Sequence, residues 1–188
     1  MTGKRIIVLV IVLVFSFVSA CSNKQEVNSN EEEKKVLETP TKDFSRIGKL
    51  KIATQTQELN RVVKILFYEA GDMQYKNVVA IDIGNKVMYL DPHVQTVGRE
   101  MPNYNMMDSD IEQVRSIFQK YDIQKWKAEY SVEDRSTYED GYGWIMYLEY
   151  ADRTVEKHEG FGTTKSDVIP SNFNDFVDEI IGFVNTKK

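Results

Sequence analysis

Residues 170–184 read PSNFNDFVDEIIGFV, and apolar side chains recur in this stretch at intervals of three and four residues. They are Phe173, Phe176, Val177, Ile180, Ile181 and Val184. This spacing places them on one face of a helix, and Pro170 followed by Ser171 suits a helix start. The stretch therefore predicts a C-terminal amphipathic helix whose apolar face packs against the rest of a domain.

A second helix is predicted to begin within Asp108-Ser109-Asp110-Ile111-Glu112. Ser109 as N-cap and Glu112 three residues later form a capping-box pattern, and an acid near a helix N-terminus interacts favourably with the helix dipole. The helix should end near Tyr121. Its expected apolar face consists of Ile111, Val114, Ile117 and Phe118.

Two pairs of apolar runs predict β-hairpins. Residues 78–83 and 86–91 flank Gly84-Asn85, which suits a type II′ turn because glycine takes the first central position. Residues 144–150 and 154–159 flank Asp152-Arg153. In the longer strand, the alternating residues Trp144, Met146, Leu148 and Tyr150 should share one face.

Three further segments are less regular. Alternation at Leu50, Ile52 and Thr54 predicts a first strand, and alternation from Trp126 to Val132 predicts another. Residues 59–68 fit either a helical stripe or a strand, and their β-branched and aromatic content favours the strand. The elements together predict an α+β fold, an antiparallel meander-like sheet packed by two helices.

The N-terminus has the features of an export signal. Lys4 and Arg5 precede a short apolar run, and Val18-Ser19-Ala20-Cys21 follows with the only cysteine of the chain. This motif resembles the lipobox of bacterial lipoproteins. The resemblance implies removal of residues 1–20, a diacylglycerol on Cys21, and a lipid-anchored protein at the cell membrane, facing outside the cytoplasm. Ordinary secretion is the alternative.

Residues 21–43 are polar and rich in charge, which predicts a disordered tether before a single domain at 44–188. Loss of residues 1–20 would remove Lys4 and Arg5 and no acid, so the formal net charge would change from −5 to −7. An acidic domain is a poor candidate for binding nucleic acid. The sequence therefore predicts partners other than nucleic acid.

Part of the chain also resembles an uncharacterised domain of small lipoproteins and secreted proteins from Gram-positive bacteria. The likeness runs from residue 81 to residue 183. Such domains often carry Asp-Gly at the second hairpin, where this chain has Asp152-Arg153. The residues that carry the likeness are Val87-Met88-Tyr89, Tyr121-Asp122-Ile123 with Trp126, Gly141 with Trp144, His158-Glu159-Gly160, and Pro170 with Phe173.

Two patterns are candidates for a ligand or metal site. Residues 160–166 are glycine-rich but lack the Gly-Lys pair of a phosphate loop. His158 could join His93 and acids such as Asp82, Asp91 or Asp152 around a metal ion, although surface histidines are the simpler interpretation. We therefore expect no cofactor and no metal.

Two long loops, 92–107 and 133–143, remain for recognition. The second combines aromatic and acidic residues in a mixture that suits a partner with basic residues. The sequence therefore predicts a binding module at the cell envelope that contacts a protein or another envelope component. An envelope hydrolase using scattered acids and His158, or a structural or inhibitory module, is the alternative. The candidate partner surface consists of Tyr138, Glu139, Asp140 and Tyr142, whereas Trp126, Tyr130 and Trp144 are expected in the core.

Overall fold

The computed structural model describes residues 44–71, 74–97, 99–131 and 141–188. Within these ranges the chain forms seven strands and two α-helices, together with short 3-10 turns. The helices are α1 (Asp108–Lys120) and α2 (Phe173–Asn185). The strands are β1 (Lys51–Ile52), β2 (Val62–Gly71), β3 (Gln74–Asp82), β4 (Val87–Tyr89), β5 (Tyr104–Asn105), β6 (Tyr142–Tyr150) and β7 (Thr154–Gly162).

The strands form one open sheet in the order β1-β7-β6-β2-β3-β4-β5. Neighbouring strands are antiparallel except β1 and β7, which are parallel. β2 lies at the centre, between the consecutive strands β3 to β5 on one side and the β6–β7 hairpin on the other. The predicted α+β class, with a mostly antiparallel sheet and two helices, is confirmed.

Both helices pack on one face of the sheet. The predicted apolar face of α1 is buried, and α2 buries Phe173, Phe176 and Ile180 among others. They meet strand residues such as Phe67, Ile81 and Met146 in the larger of two apolar clusters. Neither helix of the described ranges has the length and apolarity needed to cross a lipid bilayer.

The opposite face of the sheet carries a second, smaller apolar cluster. Phe44 and Ile47, from the segment before β1, pack there with Leu66 of β2 and Tyr89 of β4. Because β2 has apolar neighbours on both faces, it lacks the simple alternation of a half-exposed strand. This explains why residues 59–68 fitted two patterns. The preferred strand interpretation is confirmed for residues 62–68, whereas Leu59–Arg61 form a 3-10 turn.

Both predicted hairpins are present, as β3–β4 and β6–β7. Their connections contain Lys86 at φ 53° and Arg153 at φ 64°, in the left-handed region that glycine enters most easily. The four alternating residues of β6 named above are buried on the helix side.

The predicted strand from Trp126 to Val132 is wrong over residues 126–131, the part of it that the structure describes. A 3-10 turn, Ile123–Lys125, leads into Trp126, and farther on Glu129 forms one isolated bridge with Glu159. The Trp126 indole nitrogen donates to the Asn172 side chain at 3.1 Å, and its ring contacts the ring of Trp144. These contacts hold the segment against the core. Its alternating apolar residues therefore reflect side-chain packing and not pairing in a regular strand.

The helix starts also differ from the prediction. α1 is capped through Met107, whose backbone N–H donates to the Asp110 carboxylate at 2.9 Å, so Ser109 is not the N-cap. α2 begins at Phe173, after Asn172, and not at Pro170. The Asn172 side chain instead bridges segments, because it accepts from Trp126 and donates to the Tyr121 carbonyl at 2.8 Å. The first predicted strand shrinks to β1, which has two residues.

Candidate functional site

Most of the predicted partner surface falls outside the described residues. Tyr138, Glu139 and Asp140 lie there, as does Cys21, so these predictions stay untested. Tyr142 is described and begins β6. It is half-buried, and its hydroxyl donates a hydrogen bond to Glu69. Tyr142 is therefore partly exposed and hydrogen-bonded within the domain, and its predicted role at a partner surface stays a prediction.

Glu69 is the centre of a polar cluster near the end of β2. Its side chain is only 5% exposed, and its carboxylate accepts hydrogen bonds from the Asn77 amide, the Tyr142 hydroxyl and the Lys165 ammonium. The Lys165 Nζ lies 2.8 Å from Glu69 Oε1. A buried carboxylate is costly unless it is paired and hydrogen-bonded, and here both conditions are met.

The same hydrogen bonds control the ionisation of this cluster. Burial acts to raise the pKa of Glu69, but the donors Asn77, Lys165 and Tyr142 hold this pKa below its ordinary value. Burial and the hydrogen bond to Glu69 together raise the pKa of the Tyr142 hydroxyl. At neutral pH the cluster therefore holds an ionised carboxylate and a protonated phenol.

A pocket of about 400 Å³ opens beside Glu69. Lys165 lines it and keeps 40% of its side-chain surface exposed. The Lys165 Nζ also lies 5.1 Å from the centre of the Tyr142 ring and 5.4 Å from that of Phe173. These contacts fix the position of one partly exposed cation at the wall of a polar pocket. The remaining lining residues are Ala70, Gly71, Lys76, Asn77, Gly141 and Thr163.

Glu69 and Lys165 are not among the predicted site residues, although both carry a signal in the sequence. Glu69 is an isolated acid near the end of an otherwise largely apolar strand, and Lys165 belongs to the glycine-rich residues 160–166. The local glycines serve packing. A Cβ on Gly160 would lie 2.0 Å from the Val168 carbonyl oxygen, which accepts the Trp144 indole N–H at 2.7 Å.

A larger groove of about 870 Å³ lies between β3, the segment after β4 and the end of α2. Its apolar lining includes Leu90, Val94 and Ile181, and Tyr75 in the lining is 49% exposed. Residues 92–96 of the first predicted loop form part of the wall. The loop is anchored, because Val97 is buried in the second apolar cluster. Part of the predicted recognition loop 92–107 therefore forms one wall of the groove.

The histidines do not come together. His93 is exposed and lines the groove, whereas His158 lies in β7 and is 3% exposed, so the surface interpretation of His158 is wrong. His158 Nδ1 lies 3.0 Å from the Lys127 carbonyl oxygen, and Nε2 lies 2.9 Å from Glu156. Both ring nitrogens are thus engaged inside the protein. Across the described ranges, no three His, Cys, Asp or Glu side chains are placed to hold a metal ion.

The aromatic residues singled out in the sequence also differ in burial. Trp126 and Trp144 are buried core residues, and Tyr130 is half-buried against that core. Tyr147 is half-buried near the second apolar cluster. The described residues thus line a polar pocket and a larger groove, and Asn77 lines both. Comparisons of the chain with protein-family models, with curated proteins and with solved structures gave no match.

Proposed function

We propose that the chain is a lipid-anchored protein facing outside the cytoplasm, whose domain binds a protein or another component of the cell envelope. The anchor rests on the lipobox resemblance of Val18-Ser19-Ala20-Cys21. Two acyl chains hold a protein firmly at a bilayer, whereas one holds it marginally. A diacylglycerol on Cys21 therefore suits a domain that works beside the membrane.

The observation that carries the binding role is the groove of about 870 Å³. It combines apolar lining from Leu90, Val94 and Ile181 with polar groups, including an Asp91–Lys188 ion pair at 2.6 Å. Apolar contact area with polar groups around it is the usual composition of a protein recognition surface. A hydrolase built on His158 has less support, because that side chain is buried and both its ring nitrogens are engaged.

The anchor is tested by mass and by fractionation. We expect the intact mass of the purified protein to match a chain that begins at Cys21 and carries a diacylglycerol. Cys21→Ala should move the protein out of the membrane fraction. Wild-type amounts of Cys21→Ala in that fraction would refute lipid anchoring.

The groove is tested by crosslinking and recovery of partners from native membranes. Tyr75→Ala removes an exposed aromatic from the groove, and Ile52→Ala removes a similarly exposed apolar residue from β1 as a matched control. Because aromatic residues often dominate binding energy, we expect Tyr75→Ala to reduce partner recovery about tenfold. Ile52→Ala should leave recovery unchanged. Equal losses for both variants would show that the groove is not the binding surface.

A further inference from the structure

The pocket beside Glu69 has the features of a second binding site. Glu69 cannot itself be the group that meets a ligand, because its two oxygens already accept hydrogen bonds from Asn77, Tyr142 and Lys165. A carboxylate with three donors is close to saturated. Its effect is to hold Lys165 at the pocket wall.

Lys165 retains the capacity to bind. An ammonium group has three N–H donors, and one of them is directed at Glu69 Oε1, 2.8 Å away. The rings of Tyr142 and Phe173 flank the same ammonium group. The other donors are accessible, since the side chain is 40% exposed and lines the pocket. Lys165 is therefore a cation whose position is fixed before any ligand arrives.

The Lys165 ammonium selects the sign of that ligand. Its remaining N–H donors need an acceptor, and an anionic acceptor gives the stronger, charge-assisted hydrogen bond. The lining also includes the Thr163 side chain and the short residues Gly71 and Gly141, which allow a ligand to approach the backbone. A fixed ammonium group with accessible donors at the wall of a partly buried pocket therefore suits an anionic ligand.

We infer that this pocket binds the oxyanion of a small polar ligand, a carboxylate or a phosphate, through the Lys165 ammonium that Glu69 holds in place. Charge-assisted hydrogen bonds of this kind are stronger than neutral ones. The pocket volume of about 400 Å³ exceeds the size of a bare ion and falls within the range of small-molecule sites. This inference stands apart from the groove, so failure of partner binding there would leave it intact.

The experiment is an NMR titration of the isotope-labelled protein with sodium acetate and, separately, sodium phosphate, at ionic strength held constant with sodium chloride. We expect saturable shifts of the Gly71, Asn77, Gly141 and Thr163 amides and of the Lys165 side chain. Half-saturation should fall in the millimolar range, which is about 4 kcal/mol of binding. A response to acetate alone would assign a carboxylate ligand, and a response to phosphate alone would assign a phosphate.

The matched variants are Lys165→Met and Lys157→Met. Lys157 also pairs with a glutamate, Glu159 at 2.7 Å, and lies near a tyrosine ring, that of Tyr147, but it is outside the pocket lining. Lys165→Met should raise the half-saturation concentration at least about tenfold, whereas Lys157→Met should leave it unchanged. The Lys165 side-chain signal of the wild-type protein gives the same test if Lys165→Met fails to fold. Shifts absent from that signal, or equal binding by the two variants, would overturn the inference.

Discussion

Phe176→Ala is the sharpest test of how α2 stabilises the domain. Phe176 is 0% exposed. Its ring contacts the rings of Phe118 and Trp126 edge to face, with ring centres 5.3 Å and 5.4 Å apart. Phe67 and Tyr121 also contact it, each at 5.9 Å. Truncating a buried phenylalanine to alanine costs about 3–5 kcal/mol, since apolar burial is lost and a cavity remains. Several favourable ring pairs are lost here, so we expect the upper part of that range.

The measurement is urea denaturation of the purified protein, with the slope of the transition compared between variants. A lower midpoint at an unchanged slope reports lost stability, not a changed denatured state. Asn174→Ala, at an exposed position of the same helix, is the control and should change the free energy of unfolding by less than about 0.5 kcal/mol. A loss below about 1 kcal/mol for Phe176→Ala would contradict the packing of α2 against the sheet.

Two further predictions concern glycine and pH. Gly160→Ala should lower the free energy of unfolding by at least about 2 kcal/mol, because its Cβ would lie 2.0 Å from the Val168 oxygen. Gly182→Ala should raise the free energy of unfolding by about 0.5–1 kcal/mol, because a Cβ there would have nothing within 4 Å. Thermal melts that rank the two variants in reverse would refute both expectations. The pKa of Glu69 is lowered by folding, so its contribution to stability is present above the unfolded pKa of about 4.3 and is lost as pH falls through the folded value. Urea melts below pH 5 should therefore show a weaker pH dependence for Glu69→Gln than for wild type.

The spacing of apolar residues was sufficient to predict the elements that contact the core with one face. The helical stripe of α2 and the alternation of β6 each describe one buried side, and both were predicted from spacing alone. Spacing failed where single hydrogen bonds determine the chain path. The N-cap of α1 is Met107 and not Ser109, and the Asp110 carboxylate that accepts from Met107 also pairs with Lys187 at 2.8 Å. Asn172 accepts from Trp126. The partners Lys187 and Trp126 are distant in sequence, so local spacing does not reveal them.

The polar pocket could not be predicted for a related reason. Glu69 and Lys165 are 96 residues apart in sequence and meet only because β6 brings β2 and β7 into one sheet. The burial of His158 is equally non-local, since it depends on the Lys127 carbonyl from a segment that the sequence assigned to a strand. Polar residues such as glutamate and histidine in a strand pattern indicate exposure on average, and the buried Glu69 and His158 are exceptions that tertiary contacts create.

Asn77 has an unusual backbone conformation and lines both the polar pocket and the groove. The register between β2 and β3 shifts between Phe67 and Glu69, and Asn77 adopts φ 52° on the opposing strand. Asparagine tolerates this left-handed conformation better than other residues with a side chain, and its amide donates to Glu69. Glycine at position 77 would keep the backbone and lose the donor, whereas a β-branched residue would keep neither. The residue at the irregularity in β2–β3 pairing is thus also one of the three donors to the pocket carboxylate, and it lines the neighbouring groove.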